Sequence, residues 1–219
     1  MAAPPLVLAS SSPQRRAILE QLGVPFEVAA PRVEEETAGD VRDLVVENAL
    51  RKARAVASTP AGAGRRVLGV DTAVSLHGRV YGKPRGEGET RAFLERLAGR
   101  EHEVLSGVAL LVPPGFDPEG ADSRDDPGAP DRGGRPDASA LPGHAERAAV
   151  ALTRVRFREF GAAEIAWYLA SGEWRERAGG YAIQGRGAAL VERIEGEHWN
   201  VVGLPVYELA RLAPDLFRA

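Results

Sequence analysis

Asp71 is the residue of this sequence that points most directly to chemistry. It ends an apolar run, Val67-Leu-Gly-Val70, which is typical of a buried strand, and Thr72 follows it. A carboxylate placed there is costly unless it is paired or bound to a metal, and strand ends in open α/β sheets form ligand crevices. We therefore interpret Asp71 as a functional residue rather than a capping one.

The first stretch of the chain has the pattern of an anion site. The apolar run 6–9 leads into three serines, and Ser12 and Pro13 stand where an N-cap and a first helical residue belong. A helix N-terminus presents unpaired N–H groups and a partial positive charge, and here serine hydroxyls and Arg15 lie beside it. Phosphate is the anion that we expect, although a plain capped turn with solvated arginines is the simpler alternative. The sequence contains no Walker motif, Gly-x-x-x-x-Gly-Lys-Ser/Thr.

Other charged residues could serve a phosphate or a cation. The glutamates 34–36 could be a solvated loop, the first turn of a helix, or a source of ligands for a hard cation such as Mg²⁺. Lys52 lies in a predicted helix, where a solvated lysine is the default interpretation. Lys83 is bracketed by a flexible Gly82 and a rigid Pro84, which favours a positioned charge.

A glycine-rich stretch, 177–187, surrounds Gln184. Glycines let backbone N–H groups approach a ligand, and a glutamine side chain has both the donor and the acceptor needed to recognise the edge of a base. The Gly-x-Gly in this stretch does not follow a strand and open a helix, so it is a weak dinucleotide fingerprint.

The composition excludes several classes of protein. The 219 residues are 44% hydrophobic and 27% charged, which is ordinary for a soluble globular protein, and the formal net charge of −3 gives no case for a nucleic-acid partner. The sequence has no cysteine, so disulfides and zinc-thiolate sites are excluded, and its four histidines show no metal-ligand spacing. It has neither an apolar run long enough for a membrane span nor a signal-peptide core, so we expect a cytoplasmic protein.

Strand and helix patterns alternate along the chain, which predicts an α/β fold. Helical patterns cover 41–57, 89–97, 162–170 and 206–212, and strand patterns cover 67–72, 103–112, 150–158 and 188–194. A hairpin is predicted for 73–76 and 79–81, around His77-Gly78. The stretch 113–147 is rich in Pro, Gly and Asp and is predicted to be an inserted flexible loop on which catalysis does not depend. The arginines 154, 156 and 158 share one face of a predicted strand. Exposure of this face to solvent is a simpler explanation for them than binding of a polyanion.

Together these segments resemble the Maf family of nucleoside triphosphate pyrophosphatases over nearly the whole chain apart from 113–147. The residues that carry the resemblance are Leu8-Ala-Ser-Ser-Ser-Pro-Gln-Arg-Arg16, Val33-Glu-Glu35, Lys52-Ala53, Gly69-Val-Asp-Thr72, Gly82-Lys-Pro84, Ser106-Gly-Val108, Ala178-Gly-Gly-Tyr-Ala-Ile-Gln-Gly185 and Asn200-Val-Val-Gly-Leu-Pro205.

The resemblance implies a fold and a reaction. The fold would be a single Maf-like domain over 1–219, with an elongated mixed β-sheet flanked by helices and two lobes around a central cleft. The reaction would be hydrolysis of the α–β phosphoanhydride of a nucleoside triphosphate by a homodimeric enzyme with a divalent cation, Mg²⁺ or Mn²⁺. Asp71 would be the general base or would hold the attacking water, with Asp71 and Glu35 as metal ligands.

The resemblance also implies substrate-binding residues, namely Ser10, Ser12, Gln14, Arg15, Lys52, Thr72, Lys83 and Gln184. Thr72 and Gln184 match the family members that prefer dTTP and UTP. Gln14 departs from that subgroup, which has arginine at this position. The preference for pyrimidine nucleotides is therefore implied by Thr72 and Gln184 and not by Gln14.

Two other functions remain open at this point. The first is a nucleotide-sensing protein that acts in the control of cell division or septum formation without essential turnover. The second is a phosphomonoesterase, which would release inorganic phosphate instead of pyrophosphate. An enzyme is favoured, because both the acid and the cations around it are intact.

Overall fold

The computed structural model describes residues 5–116 and 143–218. Within these ranges seven strands form one mixed sheet: β1 (Leu6–Ala9), β2 (Phe26–Val28), β3 (Val67–Leu76), β4 (Arg79–Tyr81), β5 (Glu101–Val112), β6 (Ala145–Phe157) and β7 (Val191–Glu195). The strand order is β2-β1-β3-β5-β6-β7, and β4 pairs with β3. The pairs β1–β2 and β1–β3 are parallel and the others are antiparallel, which confirms the predicted mixed sheet.

Six α-helices flank this sheet in the described ranges: α1 (Pro13–Gln21), α2 (Val41–Ala57), α3 (Glu87–Leu97), α4 (Ala162–Leu169), α5 (His198–Val202) and α6 (Val206–Leu212). Short 3₁₀ segments occupy Ala178–Gly180, Gly185–Leu190 and Pro214–Phe217. The strand predicted for 188–194 was wrong at its start, since residues 188–190 belong to a 3₁₀ segment. None of the described helices has the length and apolar character that crossing a membrane requires.

The strand that carries Asp71 is longer than predicted. The break expected at Thr72 was wrong, because the predicted strands 67–72 and 73–76 form one strand, β3, which pairs with β5 from Val67 to Ser75. The predicted hairpin of 73–76 with 79–81 is confirmed. On its other side β3 pairs with β1 only up to Gly69 and with β4 only from Val74. Residues 70–73 of β3 therefore face a gap in the sheet between the end of β1 and β4.

Two apolar cores lie at the two ends of the long strands β3 and β5. One core contains Leu68 of β3 and Leu110 of β5, packed with β1 and α1. The other contains Val74 of β3 and Val104 of β5, packed with α3 and α4. The division agrees with the two lobes that were expected, and the gap beside residues 70–73 lies between them.

The predicted insertion 113–147 ends earlier than expected. Residues 145–147 are part of β6, because they pair with Leu110–Val112 of β5. Arg54 of α2 holds this strand start with two hydrogen bonds to the carboxylate of Glu146, at 2.9 and 2.7 Å. Residues 117–142 of the predicted loop lie outside the described residues.

Candidate active site

The junction between β1 and α1 has the geometry that the sequence predicts. Ser12 is the N-cap, with extended backbone dihedrals, and its Oγ accepts a hydrogen bond from the N–H of Arg15 at 3.5 Å. The Oγ of Ser10 accepts a hydrogen bond from the N–H of Ser12 at 3.1 Å, which tightens the turn. Pro13 occupies the first helical position, where its missing N–H leaves no bond unmade.

Arg15 connects this junction to the centre of the sheet. Its guanidinium donates to Ser10 Oγ at 3.1 Å, to Thr72 Oγ1 at 3.2 Å and to the carbonyl of Gly203 at 2.8 Å. Burial lowers the pKa of Arg15 from its ordinary value, whereas the negative charges of Asp71 and Glu35 oppose that shift. The charge of Arg15 is therefore held next to the acidic residues without forming an ion pair with them.

Asp71 is held by two side chains of α2. Its Oδ1 lies 2.6 Å from Lys52 Nζ, and its Oδ2 accepts a hydrogen bond from Asn48 Nδ2 at 3.2 Å. Asp71 and Lys52 are only 8% and 7% exposed, so the default interpretation of Lys52 as a solvated lysine was wrong. A lysine is tolerated at this depth because a carboxylate neutralises it.

The glutamate cluster is placed by the same helix. Lys52 Nζ also lies 2.6 Å from Glu35 Oε1, so one ammonium group joins two carboxylates. The amide of Asn48 accepts from the N–H of Glu36 at 2.8 Å and donates to its carbonyl at 3.0 Å. Asn48 thus fixes the loop beside Asp71. No role for Asn48 was predicted from the sequence, and its place on the same helix face as Lys52 was the signal that could have identified it.

These groups line one cleft of about 460 Å³ between the two lobes. Of the residues predicted for the site, those that line it are Ser10, Ser12, Gln14, Arg15, Glu35, Lys52, Asp71, Thr72 and Lys83. Lys83 stands at the exposed rim, 3.5 Å from a carboxylate oxygen of Glu176. The structure therefore places Asp71 on the same cleft as Ser10, Arg15 and Lys83.

Gln184 does not line the main cleft. It lines a small pocket of about 20 Å³ next to it, and the two cavities share Gln14, Arg177, Tyr181, Val201 and Val202. Arg177 and Tyr181 are cleft residues to which the sequence analysis gave no role. Only the fold brings them next to Gln14.

The carboxylates of Asp71 and Glu35 suit a hard divalent cation. Mg²⁺ is commonly held by one or two protein carboxylates, with water and substrate phosphate oxygens completing its coordination. Both carboxylates line the cleft and share one counter-charge, Lys52. In the described part of the chain there is no group of three or more His, Cys, Asp or Glu side chains that could hold a metal alone. The donor set therefore fits a cation that binds together with a phosphate-bearing ligand.

The fold and the cleft define an α/β protein whose central cleft is lined by both carboxylates and cationic side chains. The sequence matches the family model described as Maf-like protein over residues 5–216, and the chain belongs to this family.

Two relatives above 40% identity support that membership. The chain is 41% identical to a dTTP/UTP pyrophosphatase of Symbiobacterium thermophilum over 94% of this chain and 91% of the relative. It is 44% identical to a dTTP/UTP pyrophosphatase of an Anaeromyxobacter species, over 94% of this chain and 87% of the relative. A solved HAM1 protein of Coxiella burnetii aligns with 96% of this chain and 98% of its own, at 18% identity and a TM-score of 0.47.

Proposed function

We propose that this protein is a nucleoside triphosphate pyrophosphatase that cuts the α–β phosphoanhydride and releases a nucleoside monophosphate and pyrophosphate. One observation carries the proposal: Asp71 faces the same cleft as Arg15, Lys52, Lys83 and the N-terminus of α1. A triphosphate needs distributed positive charge, and phosphoryl transfer asks the protein mainly for positioning and charge neutralisation.

Asp71 would take a proton from the attacking water or hold that water in line. Its two oxygens are already oriented by Lys52 and Asn48, so the carboxylate is preorganised before substrate arrives. Arg15, which lines the same cleft, is likewise fixed by its hydrogen bonds to Ser10 and Thr72. The groups that would meet the substrate are therefore set by the protein's own hydrogen bonds.

We propose Glu35 and Asp71 as the residues that would hold Mg²⁺ or Mn²⁺. Such an ion supplies neutralisation of the phosphate charge. The chain's own contribution is the shared contact with Lys52, which keeps the two carboxylates close together and electrically balanced.

The preferred substrates that we propose are dTTP, UTP and modified pyrimidine nucleotides. The names of the relatives support this preference, as do Thr72 and Gln184. Gln14 lines both the main cleft and the small pocket. Its neutral amide, which accepts a hydrogen bond from Ser12 Oγ at 3.1 Å, stands where the pyrimidine subgroup has a charge.

The decisive experiment is a turnover panel of the wild-type protein with dTTP, UTP, CTP, dATP, ATP and a modified uridine triphosphate, each with Mg²⁺ and with Mn²⁺. We expect pyrophosphate and the nucleoside monophosphate in equal amounts, fastest with dTTP and UTP. Release of inorganic phosphate alone would instead support a phosphomonoesterase. Nucleotide binding without any product would support the regulator of cell division or septum formation.

The expected homodimer, cytoplasmic location and lack of a nucleic-acid partner stay predictions. Light scattering of the purified protein tests the first of them. A mass near twice 23.3 kDa is the expected result, and the mass of one chain would contradict it.

A further inference from the structure

Arg177 lies where the main cleft meets the small pocket, and it is a lining residue of both. It directly precedes the 3₁₀ segment Ala178–Gly180. The N–H of Gly179 donates to the carbonyl of Gly82 at 3.1 Å, which ties this segment to the loop that carries Lys83. Arg177 is thus held by its backbone at a defined place in the cleft wall.

The side chain of Arg177 lacks the partners that the other cations of the cleft have. Its Nε is buried and has no hydrogen-bond acceptor in residues 5–116 and 143–218. Arg15, by contrast, donates to three oxygens, and Lys52 contacts two carboxylates. A buried donor without an acceptor is costly, so such a group at a cavity wall is a candidate to bind a ligand.

The nearby carboxylate of Glu173 is already engaged. Its two oxygens accept hydrogen bonds from the N–H groups of Arg186 and Gly187, at 3.0 and 3.2 Å. Burial lowers the pKa of Arg177 from its ordinary value, and the interactions with Tyr168 and then with Glu173 offset this shift only in part. The guanidinium therefore carries a charge that the described protein groups satisfy poorly.

The surroundings of Arg177 indicate which part of a nucleotide it would meet. The cations that suit a triphosphate tail, Arg15 and Lys52, are bound to the groups around Asp71. The small pocket is instead lined by neutral amides, an aromatic ring and aliphatic side chains, namely Gln14, Gln184, Tyr181, Val201 and Val202. Amides beside apolar surface suit a flat, uncharged ring with a polar edge.

We propose that Arg177 binds the base of the substrate, with its guanidinium donating to a carbonyl oxygen of a pyrimidine ring at the mouth of the small pocket. This inference rests on the proposed function and adds to it a residue that selects the base. Guanidinium N–H groups lie in one plane and match the in-plane lone pairs of a ring carbonyl.

Binding measured by calorimetry tests the assignment in the full-length Asp71→Asn protein, which we expect to bind nucleotide without turnover. The ligands are UTP and inorganic tripolyphosphate, both with Mg²⁺. We expect Arg177→Met to weaken the binding of UTP by roughly 10- to 100-fold. Its affinity for tripolyphosphate should stay within about twofold of that of the parent. Arg177→Lys keeps the charge but loses the planar fork, so its UTP affinity should stay well below that of the parent.

A matched control is Arg175→Met, since Arg175 is exposed, stacks on Trp174 with 4.8 Å to the ring centroid, and lines neither cavity. It should change neither affinity. An equal loss of UTP and tripolyphosphate binding in Arg177→Met would assign Arg177 to the phosphates and overturn the proposal. Full UTP affinity in Arg177→Lys would overturn it as well.

A second measurement separates binding from a merely structural role. With Asp71 intact, Arg177→Met should raise KM for UTP by the same factor by which it weakens UTP binding. Its kcat should stay within about threefold of that of wild type. If Arg177→Met does not fold, Arg177→Gln replaces it in both measurements with the same expectation. A wild-type protein that releases no pyrophosphate would refute the proposed function, whereas normal turnover with an unchanged KM in Arg177→Met would refute only the role of Arg177.

Discussion

Gly107 of β5 lies directly opposite Asp71 of β3 in the antiparallel pairing of the two strands. A Cβ atom at Gly107 would be only 2.1 Å from the carbonyl oxygen of Val45 in α2. Gly69 repeats the arrangement, since a Cβ there would be 2.1 Å from the carbonyl oxygen of Ala49. The missing side chains let α2 lie on the sheet, and this close approach brings Lys52 and Asn48 to Asp71.

Gly107→Ala should therefore weaken the site as well as the fold. The added methyl forces α2 away from β5, which we expect to cost about 1–3 kcal/mol of unfolding free energy. The same displacement moves Lys52 and Asn48 away from Asp71, so kcat should fall by more than tenfold. Urea unfolding and pyrophosphate release measure the two effects.

Gly88→Ala is the matched control for this substitution. Gly88 lies in α3, and a Cβ there would have nothing within 4 Å. Alanine at this helical position should add roughly 0.5–1 kcal/mol of stability and leave activity unchanged. Equal stability and equal activity of the two variants would show that the position of α2 does not depend on Gly107.

Asp71→Asn should remove turnover but keep the nucleotide bound. The amide cannot accept the proton of water, and loss of a positioned base costs roughly 10²–10⁴-fold in rate. Arg15, Lys83 and the N-terminus of α1 are left in place, so nucleotide affinity should change only a few-fold. Glu192→Gln is the control, because Glu192 is an exposed β7 residue 3.7 Å from Arg156. Activity of Asp71→Asn above a tenth of wild type would exclude Asp71 as the base.

Lys52→Met should destabilise the protein in a way that a divalent cation repairs. Without the ammonium group, Asp71 and Glu35 have no shared counter-charge. We expect this loss to lower the free energy of unfolding by about 3 kcal/mol. The melting temperature should then rise more with added Mg²⁺ in this variant than in wild type. Lys83→Met is the comparison, because Lys83 is 56% exposed and its ion pair at the rim contributes little. A Mg²⁺ response no larger than that of wild type would argue against a metal at Glu35 and Asp71.

His102 should make the fold sensitive to acid. It is 1% exposed, its Nε2 lies 2.9 Å from the hydroxyl of Tyr181, and Phe157 packs edge-on against its ring at 4.7 Å. Burial lowers the pKa of His102 from 6.5 to about 4. Between these two pH values the unfolded chain binds the proton and the folded protein does not, so stability falls as the pH falls.

The size of this effect can be measured with His102→Gln, which keeps a polar group near Tyr181 but does not titrate. Between pH 7.5 and pH 4.5 wild type should lose about 2 to 3 kcal/mol more unfolding free energy than the variant. Urea unfolding at the two pH values provides the comparison. A wild-type loss equal to that of the variant would mean that folding does not lower the pKa of His102.

Much of the local structure could be predicted because its causes are local. The Ser12 cap with Pro13, the helical period of 41–57 and the apolar run into Asp71 are each short-range patterns, and the structure confirms them. The predicted break between 67–72 and the hairpin strand 73–76 was wrong because β5, a partner distant in sequence, pairs with both as one strand. The start of β6 was misjudged for the same reason, since a composition that favours a loop does not reveal the pairing partner of residues 145–147.

The sequence by itself determined which side chains could do chemistry and that an acid would lie in a buried strand among phosphate-binding elements. The tertiary structure decided how those side chains are connected: Lys52 between two carboxylates, Asn48 on Asp71, and Arg177 at the cleft wall. The physical reason is that an ion pair or a shared cavity depends on distance in space. That distance is set here by the gap between β1 and β4 and by the approach of α2 to Gly69 and Gly107.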